Sequence, residues 1–497
     1  MGWGLEMSGT SSPNTVCLVQ AQRQWWLLLI LVGSFAFGFR LYYVTQSVVV
    51  QNVYLPGASG NAAQYYNYAR NLVQHGVFSA QPSRLLPPPG DSFRDPGYPV
   101  FLAAWMKIFQ QWDSWYAAVL FSQAILSAAT VVFWLCLGRR WMPTGWLAVA
   151  GAFMAIWPHS VAMSSNLLSE TLYSFLVALA MYVFGASLDK PSFRWAIVSG
   201  FCFSLAAYTN GVLTPFAALL VAYMLTRKRI PAKIALTLIA TTLCLTAPWM
   251  IRNHMQQTDQ PSSTDRALMN LVEGSWPIYH SADMASILAH NPQATRVMGQ
   301  INQEITVIES DHRAGLATML QRMAQNPSYY VLWYLKKPAL LWAWDIRIGV
   351  GDIYFHETYH SPFNTNALWR AIEALCHACN WLLLVLALIT CLLVLLKKNQ
   401  KQDMASVALL MIFVTAVHSI LQAEPRYSIP YRGAEIMLGI FAAHWITTYI
   451  SKLRTRSKDN RTRNAATTQS LAQRYNLRQK SLKNSTPLDI NQGMRQR

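Results

Sequence analysis

Residues 25–45 read WWLLLILVGSFAFGFRLYYVT, with Arg40 as the one charged side chain. A helix rises about 1.5 Å per residue, so about 20 mostly apolar residues cross a bilayer core. The stretch meets that length, exceeds a signal-peptide core and carries no convincing cleavage site, so it reads as a membrane anchor. Comparable stretches recur at roughly 115–137, 144–159, 167–187, 195–210, 212–226, 232–250, 376–396, 404–422 and 433–450. The expectation is an all-α polytopic membrane protein of about ten spans, the third, fifth and sixth of them short.

Composition agrees. Of 497 residues, 53% are hydrophobic and 12% charged, against about 25% charged in soluble domains. With 19 Trp and 22 Tyr the chain is too aromatic for a disordered protein. A cytosolic globular enzyme and a collagen-like protein are excluded as well. Seven cysteines are scattered through apolar runs, which argues against a disulfide framework. Cys376 and Cys379 form a lone CxxC with no second pair, so they read as packing residues rather than zinc ligands.

The net charge of +18 is uneven: residues 451–497 hold 12 Lys+Arg against 2 Asp+Glu. This polar, basic tail reads as disordered, touching anionic lipid rather than nucleic acid. With the N-terminus inside, Arg139–Arg140, Arg227–Lys228–Arg229, Lys397–Lys398 and the tail all fall on the cytoplasmic face, as the positive-inside rule requires. Both termini are then cytoplasmic. Two long loops, 46–113 and 251–375, fall outside, each with a short apolar segment (97–109 and 329–344) suited to an interfacial helix. The expected organisation is a transmembrane module over 1–250, a periplasmic segment over 251–375, C-terminal spans over 376–450 and the tail. Within the second loop, residues 294–323 have helical apolar spacing and read as a solvated helix over the membrane core. His356 and Glu357 lack a matching ligand pair and read as structural.

Polar motifs gather at the outer ends of different spans. They are GNAAQYYNYARNLVQHGVFS (60–79), SFRDPGYPVFLA (92–103), LLSETLYSFL (167–176), APWMIRNHMQ (247–256) and AEPRYSIPYRG (423–433). A carboxylate at membrane depth, such as Glu170, is a functional hypothesis by default. Arginines beside it, Arg252 and Arg426, suit an anionic lipid head group. Each residue also has a plain structural reading: an ion pair between helices for Glu170, snorkelling for the arginines, a turn for Asp95 before Pro96-Gly97.

Taken in order, GNAAQYYNYARNL, FRDPGYPVFLA, SETLY, PWMIRN and EPRYSIP resemble the C-type glycosyltransferase superfamily. The branch is the bacterial one related to protein O-mannosyltransferases and the lipid A aminoarabinose transferase. The resemblance covers about residues 25–450. It implies an outward-facing site, a sugar donor on a polyprenyl phosphate, a glycan, lipid or protein acceptor, and transfer with inversion. It implies no nucleotide cofactor, and the sequence holds no Gly-rich phosphate loop and no metal-ligand set.

Chemically, such a reaction needs a base for the acceptor hydroxyl and positive charge for the departing phosphate. Arg94, Arg252 and Arg426 are the phosphate candidates. Asn61, Tyr65, Tyr98, Glu170, Glu424 and Tyr427 would line the pocket, with Glu170 and Glu424 ordering it through salt bridges to arginines. The family's usual catalytic carboxylate aligns with Asn61, and an amide is no general base. Asp91 or Asp95 would have to serve, Asp95 being preferred because it lies inside FRDPGYP. Otherwise the acceptor arrives already ionised, or the protein is a non-catalytic binder or translocator of lipid-linked sugars. Polar groups at outer ends rather than at the midplane disfavour translocation, and the missing internal repeat disfavours a solute carrier. The outer loops contain no usable Asn-x-Ser/Thr sequon, which fits a bacterial inner membrane.

Overall fold

Every stretch expected to span the membrane is helical in the computed structural model, which describes residues 13–51, 53, 60–82, 86–256, 260–396 and 402–483. The first half runs α1 (Pro13–Gln46), α2 (Asn61–His75), α3 (Gly97–Ile108), α4 (Trp112–Gly138), α5 (Thr144–Ile156), α6 (Pro158–Met163), α7 (Glu170–Ser187), α8 (Phe193–Thr209), α9 (Phe216–Thr226) and α10 (Ala232–His254). The second runs α11 (Ser263–Ser275), α12 (Tyr279–Leu288), α13 (Pro292–Ser310), α14 (His312–Ala324), α15 (Pro327–Leu341), α16 (Pro362–Thr365), α17 (Ala367–Leu396), α18 (Gln402–Ile420), α19 (Pro425–Ser428) and α20 (Arg432–Lys483). One antiparallel pair, β1 (Val48–Val49) with β2 (Thr358–Tyr359), ties the two long loops together.

Among the described residues, seven helical stretches are long and apolar enough to cross a bilayer: 22–46, 112–138, 170–187, 232–254, 367–396, 403–420 and 425–457. Leu27, Ile30 and Leu31 of α1 and Leu382, Val385 and Leu392 of α17 stay exposed. Such apolar rows would be untenable in water and are ordinary against lipid chains. The chain is an all-α polytopic membrane protein.

Three of the ten expected spans are shorter helices: α5 has 13 residues, α8 has 17 and α9 has 11. Pro158 stops α5, because the residue before a proline is driven out of the helical region; Trp157 sits at φ −61°, ψ 113°. In the core, α4 packs against α1 and α7, α7 against α8, and α8 against α10. The last contact needs a glycine: a Cβ at Gly200 would lie 2.8 Å from the Leu238 carbonyl, the small-residue approach common between membrane helices.

The two long loops meet at one end of the bundle, where Ser92 N–H donates to Pro261 (3.1 Å) and Val50 N–H to Glu357 (2.8 Å). At the other end Arg139 donates to Gln22 (2.7 Å), Arg140 pairs with Asp189 and lies 3.6 Å from Asp403, and Arg227 reaches the Leu395 carbonyl (2.6 Å). Lys397–Lys398 lie outside the described residues.

Among the described residues, those of the outer segment 251–375 cluster with the spans up to Ala442 in one compact unit. Residues 443–497 form a second unit. Its described residues, up to Lys483, continue α20, where the sequence reading expects a polar, basic, disordered tail. No glycine or proline stands between Gly439 and Pro487, so nothing in the backbone stops the helix. The tail residues beyond 483 lie outside the described residues.

Candidate active site

The first loop opens with α2, whose residues Asn61, Gln64, Tyr65 and Tyr68 fall on one face at helical spacing. That face cradles Arg94. Its Nε donates to Gln64 Oε1 (2.7 Å), its Nη2 to Asn61 Oδ1, and its backbone N–H to the Tyr68 hydroxyl (3.3 Å). The guanidinium also lies 5.4 Å from the Tyr65 ring centroid. Arg94 has amide and aromatic partners and no ion pair among the described residues. Burial lowers its pKa first; Tyr65 and Tyr68 oppose this, while the charges of Arg266 and Arg426 lower it further. Two further guanidinium groups, those of Arg266 and Arg426, therefore lie within electrostatic reach of Arg94.

Asp91 is buried and fully engaged. Its carboxylate accepts from the Tyr68 hydroxyl, from Ala80 N–H (2.7 Å) and from Phe93 N–H (3.2 Å). Burial, and then the Asp91 charge, hold the Tyr68 hydroxyl protonated far above its ordinary range. Arg252 reaches the same loop from the end of α10, donating to the Asp91 carbonyl (2.5 Å) and the Phe78 carbonyl (3.4 Å). Its ring neighbours are Trp249 at 4.8 Å and Phe78 at 5.4 Å. Asp91 and Arg252 thus fix the loop just ahead of Arg94 and Asp95.

Asp95 Oδ2 accepts from Arg266 Nη2 (2.7 Å) and from Gly211 N–H (3.1 Å), and Oδ1 accepts no hydrogen bond among the described residues. Arg266 comes from α11, whose start is held by a reciprocal cap between Ser262 and Asp265. Burial opposes the Arg266 charge, and Asp95 more than restores it. The glycine of FRDPGYP has a steric reason: a Cβ at Gly97 would sit 2.4 Å from Thr209 Oγ1 and 2.9 Å from the Tyr208 carbonyl. Only glycine lets α3 start against the end of α8, and this crossing brings Asp95 to Gly211.

Glu170, at the start of α7, pairs with Arg426 Nε; both side chains are nearly fully buried. Glu170 Oε2 has no hydrogen-bond partner among the described residues. The flat face of Arg426 lies 3.8 Å from the Phe355 ring centroid. Tyr65 hydroxyl donates to Ser169 Oγ (3.2 Å), joining α2 to the start of α7. Tyr98 is packed beneath, edge-on to Tyr65 at 5.1 Å, with its hydroxyl on Gln123 (2.9 Å). Tyr427 donates to Gln422 (2.5 Å) and stacks on His418.

The expected Glu424 salt bridge does not form. Glu424 Oε1 accepts from the Arg347 backbone N–H (2.9 Å), and Oε2 is buried without a hydrogen-bond partner among the described residues. The exposed Arg347 side chain leaves Glu424 with a backbone dipole instead of a guanidinium. Burial pushes the Glu424 carboxyl up to about 7, against the opposing pull of the Arg347 and Ile348 amides and of Arg426 and Arg347. A carboxyl with a raised folded pKa binds its proton more tightly when folded. Its stabilising contribution is therefore full below about 4.5 and is lost as pH rises through about 7. Glu424→Gln is expected to flatten the loss of Tm over that window in detergent solution while leaving the acid end almost unchanged. A wild-type pH slope in the variant would place the dependence elsewhere.

The structure thus joins Asn61, Tyr65, Arg94, Asp95, Glu170 and Arg426 and sets Asp91, Arg252, Tyr98 and Tyr427 in supporting positions. Sequence reasoning missed Gln64, Arg266, Phe355 and His356. Gln64 was recoverable from its helical spacing to Asn61; Arg266 carried no signal beyond lying in an outer loop. His356, read as structural, lies within electrostatic reach of Arg426: burial first, and then that charge, lower its pKa to about 4, and its Nε2 is buried without a hydrogen-bond partner among the described residues. Among the described residues no three His, Cys, Asp or Glu side chains gather as metal ligands.

No protein-family model matches the sequence, and no curated protein matches it significantly. Solved structures do. The oligosaccharyltransferase AglB of Archaeoglobus fulgidus, in complex with an inhibitory peptide and a dolichol-phosphate, is similar at TM-score 0.49 and 13% identity. That match covers 87% of this chain and 51% of the other. The same organism's oligosaccharyltransferase tethered to an acceptor peptide gives TM-score 0.48 and 13% identity, covering 86% and 50%. ArnT of Cupriavidus metallidurans bound to undecaprenyl phosphate gives 0.34 and 13%, covering 84% and 77%. The chain spans about half the length of the oligosaccharyltransferases it is similar to.

Proposed function

We propose that the protein is a membrane glycosyltransferase. It moves a sugar, hexosyl or pentosyl, from a polyprenyl-phosphate donor to a glycan, lipid or protein acceptor. The reaction takes place at the end of the bundle where the two long loops meet. In this reading that end faces the periplasm of a bacterial inner membrane and both termini are cytoplasmic. The observation that carries the proposal is the guanidinium cluster. Arg266 and Arg426 are neutralised by Asp95 and Glu170, whereas Arg94 is held by an amide, Asn61, where a carboxylate would have cancelled it. The surplus positive charge suits a phosphate, which accepts forked hydrogen bonds from arginine.

The chemistry then follows. The acceptor hydroxyl attacks the anomeric carbon, Asp95 Oδ1 takes its proton, and the glycosidic C–O bond breaks with the electron pair leaving on the phosphate. Arg94 and Arg426 stabilise the charge as it develops. Asp91 and Arg252 hold the loop that positions Arg94 and Asp95. A second reading, a non-catalytic binder of lipid-linked sugars, is favoured by Asn61 itself and by the ion pair that occupies Asp95. Mass spectrometry of surface glycans, lipids and glycoproteins from a deletion strain and its parent separates the two. Loss of a one-sugar mass increment, restored by the intact gene, is expected; an unchanged profile with the protein expressed would favour the binder.

A further inference from the structure

Along α7 from Glu170, Thr171 and Ser174 line a cavity of about 30 Å³ together with Arg40, Arg432, Trp134 and Trp157 among others. A water needs about 10–15 Å³ of such space, so the cavity admits a small ion or about two waters. Its electrostatics are unbalanced. Arg40 is 1% exposed and makes no ion pair among the described residues. Its guanidinium donates to Ser127 Oγ (2.5 Å) and to the carbonyls of Ala36 (3.1 Å), Met154 (3.2 Å) and Ala155 (2.8 Å). The last two lie in the final turn of α5, whose dipole offsets only part of a full charge. A buried cation at membrane depth without a counter-ion is costly.

The unsatisfied atoms on the cavity wall are of one kind. Arg432 pairs with Glu435 (2.8 Å) through Nη1, yet among the described residues its Nε has no partner, and neither do Trp134 Nε1 and Trp157 Nε1. All three are N–H donors. The hydroxyl protons of Thr171 and Ser174 already go to the Met163 carbonyl (3.2 Å) and the Glu170 carbonyl (2.6 Å). Glu435 Oε1 is also unpartnered but does not line the cavity. A water could donate only to the hydroxyl oxygens of this wall, whereas the three N–H groups and the Arg40 charge call for an acceptor that carries negative charge. A halide accepts several hydrogen bonds, donates none and supplies the missing negative charge. We propose that this cavity binds a monovalent anion of halide size, chloride under cellular conditions, as a counter-ion to Arg40 separate from the phosphate site.

The test uses the intact, detergent-purified protein at constant ionic strength, with gluconate replaced stepwise by chloride or bromide. Both halides are expected to raise Tm saturably by about 1–3 °C, as binding to the folded state alone requires. Arg40→Met keeps the apolar stem and removes the charge, and it is expected to abolish the halide dependence. Equal Tm in gluconate and chloride, or a full halide response in Arg40→Met, would overturn the proposal. Should Arg40→Met fail to fold, crystals of the wild-type protein soaked in bromide decide: an anomalous peak beside Arg40 is expected, and a cavity holding water only refutes the site.

Discussion

Asp95→Asn is expected to cut sugar transfer by about 10²–10⁴-fold, the usual contribution of a positioned general base, while the protein is still made. The readout is recovery of the one-sugar mass increment when the variant is returned to a deletion strain. The amide keeps the shape of the side chain and its bond to Gly211 N–H but takes no proton. It also leaves Arg266 without its carboxylate, so Asp95→Asn/Arg266→Gln serves as a control that restores charge balance without restoring a base. Arg266→Gln alone tests the pair from the other side. Removing the guanidinium that lies 2.7 Å from Asp95 Oδ2 keeps the carboxylate but releases its orientation, so kcat/KM should fall by less than in Asp95→Asn. Normal transfer by Asp95→Asn would remove Asp95 from the mechanism. In the binder reading the variant changes nothing in the glycan profile.

Arg426→Gln is expected to have two separable effects. Transfer falls by about 10²–10³-fold if the guanidinium stabilises the departing phosphate. Stability falls by about 3–5 kcal/mol, because Glu170 is left buried and charged. The double variant Glu170→Gln/Arg426→Gln removes the stranded charge and should recover most of the thermal stability but none of the transfer. Arg426→Lys keeps the charge and loses both the planar stack on Phe355 and the forked donor, so an intermediate loss is expected. Transfer restored in the double variant would show that Arg426 serves only to neutralise Glu170, and the phosphate role would pass to Arg94 alone.

Much of this site was legible as residue types and little of it as partners. Asn61 was visible as a departure, yet its consequence was not: the amide accepts from Arg94 and so leaves that guanidinium without a counter-charge. Glu170 with Arg426, separated by 256 positions, was recoverable as an expected ion pair because a buried carboxylate at a helix end demands a cation. Glu424 made the same demand on paper and found backbone amides instead. Charge complementarity names the kind of partner, while chain geometry selects it.

The sequence by itself determined the class of the protein. Apolar runs of bilayer length, a charged fraction half that of soluble domains and polar motifs confined to span ends leave no other solvent for these helices. It also determined which helices are short, since a proline such as Pro158 acts through its own backbone. Only the tertiary structure decided which arginines converge. Arg94, Arg266 and Arg426 come from the first loop, from α11 and from the turn before α20, and no local spacing relates them. Their convergence depends on how close α3 can come to α8 at Gly97 and on where Asp91 and Arg252 clamp the loop. Side-chain packing over long sequence separations sets those distances.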